Sequence, residues 1–259
     1  MKVDADWIVG FTDADGCFSV RTSVGQKVRC DFIISQDARS KHVLVAIKSF
    51  FGVGSVHKAG GNMWEYHVGD LHALRSVILP FFETHPLRTS KRASWVKFRN
   101  CVLERAGYHY VIPTAPYLAP DNAPITASWL LGLMDGDGCF TVSIGKWITH
   151  QFILGLRLED KLLCERIQAF MRCGAVFQRK RKGFVVYQIS ARQDLIGCLF
   201  PLLYTRGRFH LLCTQKRRDV SLFRRIVLAM DKGSHRREAG LAQIRVWKDR
   251  MRKHNTSGR

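Results

Sequence analysis

Two pairs of aspartates end two apolar segments of this 259-residue chain. Asp13 and Asp15 close the segment WIVGFTDADG, and Asp135 and Asp137 close WLLGLMDGDG. A carboxylate at the C-terminal end of a helix is disfavoured by the helix dipole, so some gain must offset that cost. Turn formation before Gly is one such gain, and it is the simpler explanation for Asp13 and Asp135. Recurrence favours a functional role for Asp15 and Asp137. If a pseudo-twofold axis brings these two carboxylates together, they repel unless a divalent cation lies between them, and hard oxygen ligands without Cys or His suit Mg²⁺.

The aspartates belong to an internal repeat. Residues 7–20 align with residues 129–142 at an offset of 122, and residues 32–56 align without gaps on residues 152–176. Two copies are too few for a solenoid, so the repeat predicts a pseudo-dimer of two similar domains. The predicted boundaries are a first domain over 1–107, a linker over 108–126 and a second domain over 127–259. The linker is predicted because it holds four of the seven prolines, which disfavour helix.

Hydrophobic periodicity predicts the elements that position these acids. In the first copy it indicates helices over 7–15, 37–51, 70–83 and 90–105 and strands over 17–23, 27–35 and 63–68, with Pro80 expected to kink or shorten its helix. The second copy repeats this order and adds a basic helix over 236–252. In the two motif helices, small residues four apart form a stripe on which a second backbone can rest. The residues expected at this interface between the domains are Trp7, Gly10, Ala14, Trp129, Gly132 and Gly136.

The charge of the chain indicates a polyanionic partner. Lys and Arg number 41 against 21 Asp and Glu, a formal net charge of +20 at pH 7. Nucleic acid is the leading candidate partner, and an anionic membrane surface is the second. The alternative is a soluble basic protein whose charge serves no polyanionic partner. No stretch is long and apolar enough for a transmembrane helix. The eight cysteines show no zinc-ligand spacing, and most lie in apolar surroundings, which favours an intracellular, reducing compartment.

The two motifs and their order identify a family. WIVGFTDADG and WLLGLMDGDG look like the two copies of the LAGLIDADG motif, and the chain resembles a single-chain LAGLIDADG homing endonuclease over nearly all of residues 5–230. The resemblance implies an α+β fold of two αββαββα copies. Two four-stranded antiparallel sheets would form a saddle over DNA, with the motif helices at the domain interface. It also implies a monomer without a required protein partner, encoded by an intron and located in an organelle, either mitochondrion or chloroplast.

The resemblance further implies the reaction and its residues. The expected activity is metal-dependent hydrolysis of both strands of a long asymmetric DNA target, leaving short 3′ overhangs. The expected cofactor is two or more divalent cations, with Mg²⁺ supporting cleavage and Ca²⁺ supporting binding without cleavage. Asp15 and Asp137 match the catalytic, metal-binding acids, with the backbone carbonyls of Ala14 and Gly136 as further ligands. Lys91, Lys216 and Gln36 match supporting catalytic residues. The second copy has Leu156 in place of Gln36, so the two cleavage sites are predicted to be unequal. Asp219 fits a family Asp three residues after the lysine, whereas Ser94 departs from it.

Strand alternation predicts which residues face the nucleic acid, since such a mixture of side chains suits base edges and phosphates. The first copy contributes Ser19, Arg21, Ser23, Lys27, Arg29, Asp31, Ile33, Glu65 and His67. The second contributes Thr141, Ser143, Thr149, Gln151, Ile153 and Gln188, with Arg179, Lys180, Arg181 and Lys182 expected on a phosphate-contacting loop. Two other functions remain open: an RNA-splicing maturase of the same fold that binds its intron RNA, and a non-catalytic DNA-binding regulator.

Overall fold

The first copy begins with a helix that leads directly into a sheet. The structure is a computed structural model that describes residues 3–22, 28–108, 123–179, 183–205, 208–209 and 213–255. Helix α1 spans Ala5–Asp15 and starts at Asp4, whose carboxylate accepts a 2.8 Å hydrogen bond from the Trp7 backbone N–H. Strand β1 follows without a break, so the acid that ends α1 is held next to the edge of the sheet. The remaining elements are β1 Gly16–Arg21, β2 Arg29–Asp37, α2 Lys41–Phe51, β3 Ser55–Gly60, β4 Met63–Val68, α3 Leu71–Ala73, α4 Leu79–Thr84 and α5 Arg92–Arg105.

The four strands form an antiparallel sheet in the order β1-β2-β4-β3. Alternation along β2 buries Cys30, Phe32 and Ile34 beneath the helices, as the sequence pattern predicts, and Tyr66 and Val68 of β4 lie on the same inner face. This leaves the opposite face of the sheet for polar side chains. Ser23 and Lys27 lie outside the described residues.

A proline is accommodated in the helical stretch after β4. A π-helical segment, Leu74–Ile78, joins α3 to α4, and Pro80 stands in the first turn of α4. Proline has no N–H to continue the α-helical ladder, and the wider π turn just before it changes the hydrogen-bond pairing there. The predicted kink is therefore absorbed by the π segment, and the stretch continues to Thr84.

The second copy repeats this order. Its strands form an antiparallel sheet in the order β5-β6-β8-β7, and a two-stranded pair, β9 and β10, follows. Here too a π-helical segment, Leu195–Leu199, precedes a proline, Pro201. The elements are α6 Ala127–Asp137, β5 Gly138–Ile144, β6 Ile148–Arg157, α7 Lys161–Met171, β7 Ala175–Arg179, β8 Phe184–Ile189, α8 Arg192–Asp194, α9 Phe200–Leu203, β9 Tyr204–Thr205, β10 Arg208–Phe209, α10 Lys216–Asp231 and α11 Glu238–Asn255. The predicted duplicated α+β fold with two four-stranded antiparallel sheets is confirmed.

The basic C-terminal helix is packed on the second copy. Helix α11 lies against α10, and it buries Ile244 and Met251 while Arg245 and Arg250 are exposed. The part of the extension up to Asn255 is therefore a helix, where the sequence predicts a basic helix over 236–252.

The chain divides into two compact units, Met1–Gly136 and Asp137–Arg259. The division falls at the end of α6, so nearly all of the second motif helix packs within the first unit. The boundaries predicted from the repeat describe the duplicated copies, and they stay a prediction. Among the described residues, no helix is long and apolar enough to cross a membrane.

Candidate active site and nucleic-acid interface

Asp15 is oriented by a glutamine of the neighbouring strand. Strand β1 pairs with β2 from Gly16 opposite Ile34, so Gln36, two residues further along β2, comes level with the end of α1. Its side-chain amide donates a 2.6 Å hydrogen bond to Oδ2 of Asp15. A carboxylate held in this way has a fixed orientation for a ligand or reactant. The structure therefore brings together Asp15 and Gln36 as the sequence predicts.

Lys91 also reaches the end of α1. Its Nζ donates to the backbone carbonyl of Thr12 at 2.9 Å and to that of Ala14 at 2.8 Å. These carbonyls belong to the last turn of the helix, where the dipole is negative, and a cation bound there is stabilising. The lysine thus offsets the unfavourable position of the acids at this helix end. Lys91 lies at the motif, rather than pointing into solvent from the start of α5.

Asp13 has a different role from the turn-making one predicted for it. It is buried, and its carboxylate accepts hydrogen bonds from the Thr89 N–H, the Thr89 hydroxyl at 2.7 Å, the Arg88 N–H and Nε1 of Trp129 at 2.9 Å. Burial raises the pKa of the Asp13 carboxyl, and these hydrogen bonds act against that rise. Asp13 therefore fastens the segment just before α5 to α1, which places Lys91.

A signal for this role was present in the sequence. A threonine stands two residues before the lysine in each copy, as Thr89 before Lys91 and Thr214 before Lys216. Both threonines are buried. The Thr89 hydroxyl accepts a 3.4 Å hydrogen bond from the backbone N–H of Lys91, and the Thr214 hydroxyl accepts a 3.3 Å bond from that of Lys216. The repeated threonine marks a buried turn, although its partner Asp13 is 76 residues away and could not be paired with it from spacing alone.

The two motif helices, α1 and α6 up to Gly136, pack backbone to backbone within the first unit. A Cβ added at Gly10 would lie 1.9 Å from the Trp129 carbonyl oxygen, and one at Gly132 would lie 2.1 Å from that of Trp7. Such distances are far below van der Waals contact, so only glycine fits at these two positions. At the end of the stripe, a Cβ on Gly136 would come within 2.2 Å of the Ala14 Cβ. The small residues and tryptophans predicted at the interface all lie in this contact.

Hydrogen bonds also join the starts of the two helices. The Ser128 hydroxyl donates to both carboxylate oxygens of Asp4, at 2.6 and 2.7 Å, and the Thr126 hydroxyl donates to Asp6 at 2.7 Å. Each bond runs from the N-terminal end of α6 to an acid at the N-terminal end of α1. The register of the helix pair is therefore set by polar contacts at one end and by small residues along its length.

The second unit carries equivalent residues, but Leu156 replaces Gln36 and Asp219 replaces Ser94. Strand β5 pairs with β6 from Gly138 opposite Leu154, which places Leu156 where the first copy has Gln36. Leu156 is buried and has no hydrogen-bonding side chain. Lys216 begins α10 with Asp219 in its first turn, and both charges influence Cys139, the second residue of β5. Cys139 is exposed at the surface, yet partial loss of solvent around its thiol raises the pKa, which Lys216 acts to lower and Asp219 to raise. Lys216 therefore lies close to the strand that starts just after Asp137.

The donors at the motif ends suit a hard divalent cation. Asp15 and Asp137 supply carboxylate oxygens, and Ala14 and Gly136 supply backbone carbonyls at the adjacent positions. Within the described ranges, no group of three or more His, Cys, Asp and Glu side chains could hold a metal alone. Magnesium is commonly bound by one or two carboxylates together with substrate phosphate and water, so the few oxygen donors at each motif end suit such an ion.

The outward face of the first sheet carries the residues predicted to read DNA. Register pairs Ser19 with Asp31, Arg21 with Arg29, and Ile33 with His67, while Glu65 pairs with Ser35 and accepts a 3.0 Å hydrogen bond from its hydroxyl. Asp31 departs from the expectation for an exposed base reader because it is only 6% exposed. Its carboxylate is bound by Arg21 and His67.

The second sheet presents a largely uncharged face. Thr141 pairs with Gln151, Ser143 with Thr149, and Ile153 with Gln188. Arg179 ends β7, whereas Lys180, Arg181 and Lys182 lie outside the described residues.

One exposed aromatic residue was not among the functional residues predicted from the sequence. Trp147, in the turn between β5 and β6, is 75% exposed. The signal for it was an aromatic residue beside Gly145 and Lys146 in a predicted hairpin, and such a turn lies at the tip of the sheet.

The fold and the site together define a class: a duplicated α+β protein whose two motif helices each end in an aspartate beside a four-stranded antiparallel sheet. The sequence profile described as LAGLIDADG endonuclease matches residues 8–102 and 130–227, and the chain belongs to that family.

Three similar proteins illustrate the match. "Probable intron-encoded DNA endonuclease 1" of Mycosarcoma maydis is 22% identical over 246 residues, covering 75% of this chain and 90% of the relative. "Probable intron-encoded endonuclease 2" of Neurospora crassa is 22% identical over 291 residues, covering 93% of this chain but only 64% of that longer relative. The solved structure of I-SmaMI bound to uncleaved DNA target in the presence of calcium ions is 23% identical, with a TM-score of 0.81, covering 96% of this chain and 98% of that one.

Proposed function

We propose that this protein is an intron-encoded, site-specific endonuclease that hydrolyses both strands of duplex DNA with the help of a divalent cation. The observation that carries the proposal is the end of α1, where Asp15 is oriented by Gln36 and Lys91 binds the adjacent carbonyls. Membership of the LAGLIDADG endonuclease family and relatives named as intron-encoded endonucleases support it. The relatives' names also favour DNA cleavage over the maturase function as the activity of this chain.

The roles of the site residues follow from their chemistry. Asp15 and Asp137 would each bind a divalent cation, with the carbonyls of Ala14 and Gly136 as further ligands. A bound Mg²⁺ would polarise the scissile phosphate and lower the pKa of the attacking water. Gln36 fixes the Asp15 carboxylate. Lys91 and Lys216 supply positive charge close to the two motif ends, where negative charge develops on the phosphate during hydrolysis.

The duplex contacts the outward faces of the two sheets in this proposal. The first face offers charged side chains and the second offers hydroxyl, amide and aliphatic ones, so the two halves of the target would be read by different chemistry. This supports a long target without twofold symmetry. I-SmaMI is bound to an uncleaved DNA target in the presence of calcium ions, which is in line with Ca²⁺ supporting binding without cleavage here. The host gene of an intron-encoded enzyme of this kind would lie in an organelle.

The test is cleavage of a randomised duplex library by the full chain in Mg²⁺, followed by recovery of the cut sequences. The wild type is expected to enrich one long target and to cut both strands. Asp15→Asn and Asp137→Asn are each expected to abolish double-strand cleavage of that target while binding it in Ca²⁺ with little loss of affinity. Asp249→Asn removes one exposed carboxylate of α11 and serves as the matched control, with cleavage unchanged.

Three results would contradict the proposal. Full double-strand cleavage by either Asp→Asn variant would remove the role assigned to that acid. Rapid cutting in Ca²⁺ alone, or tighter binding of structured intron RNA than of any duplex DNA, would count against the metal scheme and the DNA substrate respectively.

A further inference from the structure

Asp31 is buried on a face of the sheet where its neighbours are open to solvent. Oδ2 of Asp31 lies 2.6 Å from Nη2 of Arg21, and Oδ1 lies 2.7 Å from Nε2 of His67. The three residues come from three adjacent strands, β1, β2 and β4, and they are named the Arg21 clamp below. Both carboxylate oxygens are therefore already used by protein donors.

The chemistry of the clamp excludes Asp31 as a reader of bases. A carboxylate would recognise cytosine by accepting a hydrogen bond from its N4 amino group. Asp31 could do so only by giving up a charged partner and exposing an oxygen that the fold has buried. Burial alone would raise the pKa of Asp31, but the hydrogen bonds from Arg21 and His67 outweigh it and leave this pKa below its ordinary value. The carboxylate thus stays ionised and paired at neutral pH.

Arg21 has the opposite exposure. Its side chain is 63% exposed although one of its nitrogens is held by Asp31. A guanidinium has five N–H donors in a planar fork, so fixing one edge leaves the other donors presented in a defined direction. An arginine held in this way has lost much of its rotamer freedom before it meets DNA, which favours binding.

We propose that Asp31 is a positioning residue: the clamp holds Arg21 ready to recognise one guanine of the target through its O6 and N7 atoms, and Asp31 itself contacts no base. This inference rests on the proposed function, because it assumes that the outward face of the first sheet meets duplex DNA. It replaces the expectation that Asp31 itself contacts the nucleic acid.

The clamp is confined to the first copy. By register, the positions of Arg21, Asp31 and His67 are occupied in the second sheet by Ser143, Gln151 and Gln188. These side chains are uncharged, so no ion pair can form among them. A fixed guanine contact of this type is therefore expected in only one half of the target.

Gly69 closes the clamp from the end of β4. A Cβ added there would lie 2.9 Å from Oδ1 of Asp31 and 3.2 Å from the His67 ring. Gly69→Ala therefore displaces the carboxylate without removing a charge or a hydrogen-bonding group. This variant tests the geometry of the clamp separately from its composition.

The experiment is selection of bound duplexes from a randomised library in Ca²⁺, with the full chain and no requirement for cleavage. The wild type is expected to prefer guanine at one position by roughly 10-fold or more, and Arg21→Ala should lose that preference. Asp31→Ala and Gly69→Ala should weaken the same preference and change no other position. The double variant Arg21→Ala/Asp31→Ala should match Arg21→Ala, since Asp31 acts only through the arginine. Asp249→Ala, far along the chain on α11, is the control and should leave the preference intact.

Three results would overturn the proposal. Loss of a cytosine preference at a separate position in Asp31→Ala would overturn the proposal, as would any effect of Asp31→Ala that persists in the Arg21→Ala background. A wild type without a guanine preference at any position would overturn it too. Since bound rather than cut duplexes are sequenced, the result is distinct from failure of the proposed cleavage, which is measured in Mg²⁺.

Discussion

The close contact of α1 and α6 makes Gly10→Ala a severe test of the helix pairing. The added methyl group would lie 1.9 Å from the Trp129 carbonyl oxygen and 2.9 Å from the Leu133 backbone nitrogen. Both neighbours are backbone atoms in the middle of a helix, so no side-chain rotation can relieve the clash. The helices must separate by about 1.5 Å locally to restore ordinary contact of about 3.4 Å.

The free-energy cost of Gly10→Ala comes from the packing contacts that this separation weakens. Trp129, Leu130, Leu133, Ile8 and Phe11 are all fully buried around the contact. A gap of 0.5–1 Å already forfeits roughly a quarter to a half of the dispersion energy of each atom pair facing it. Overpacking in a dense core costs typically about 1–3 kcal/mol, and backbone-on-backbone contact is the upper end of that range. Alanine recovers about 1 kcal/mol of helix propensity over glycine. We therefore expect a net loss of roughly 2 kcal/mol, or about 4–8 °C in Tm for a chain of this size.

The measurement is thermal and urea unfolding of the purified variant beside Gly197→Ala. Gly197 also lies in a helical segment, but a Cβ there has no atom within 4 Å, so the same substitution should be neutral or stabilising by up to about 1 kcal/mol. The contrast between the two variants removes the propensity term that they share. If Gly10→Ala were as stable as Gly197→Ala, the two motif helices would not approach as described.

Three further predictions follow from the site. Gln36→Leu removes the amide that holds Asp15 and should slow cleavage of one strand by roughly 10- to 100-fold, so that nicked duplex accumulates. Leu156→Gln should not slow either strand. End labels specific to each strand measure the two cleavage rates separately. Trp147→Phe should remove most of the tryptophan fluorescence that iodide quenches. In the wild type, DNA should protect Trp147 from iodide because the hairpin tip contacts the duplex. Unchanged quenching with saturating DNA would argue against this contact. Affinity for the selected duplex should fall by roughly 1000-fold or more between 50 and 200 mM salt, measured by anisotropy, whereas a flat salt profile would contradict phosphate binding by the basic surface.

The repeat made most of the fold predictable. Similar motifs at a fixed offset implied two copies, and the spacing of Gly10 and Ala14 implied a helix pair in close contact, which the structure shows. Alternation along β2 placed Cys30 and Phe32 on the buried face correctly. These features are local, since each depends on spacing within one element or on direct comparison of two copies. The approach of Gln36 to Asp15 followed from the family resemblance.

Partners far apart in sequence were not predictable in this way. Asp13 was assigned to a turn because the residues near it in sequence do not indicate Thr89 as its partner. Only the folded chain brings the Thr89 hydroxyl to 2.7 Å from the Asp13 carboxylate. Asp31 was placed on the correct face of β2 but given the wrong exposure. A period of two identifies a face without saying which neighbouring strands supply Arg21 and His67 to cover it. In both cases a carboxylate is buried through tertiary pairing, which no periodicity records.

The packing of α6 has a consequence for cutting the chain. Residues 127–136 belong to the first unit, where Trp129 binds Asp13 and Ser128 binds Asp4, although the preceding segment 109–122 separates them from it in sequence. Cleavage in that segment would divide the protein into two fragments, and the first would lose the helix that completes its own core. Neither fragment would then be a self-sufficient folding unit, yet each would carry the complement of the other. Co-expressed from separate genes, the two pieces are suited to reassemble as an obligate heterodimer, with activity conditional on the presence of both.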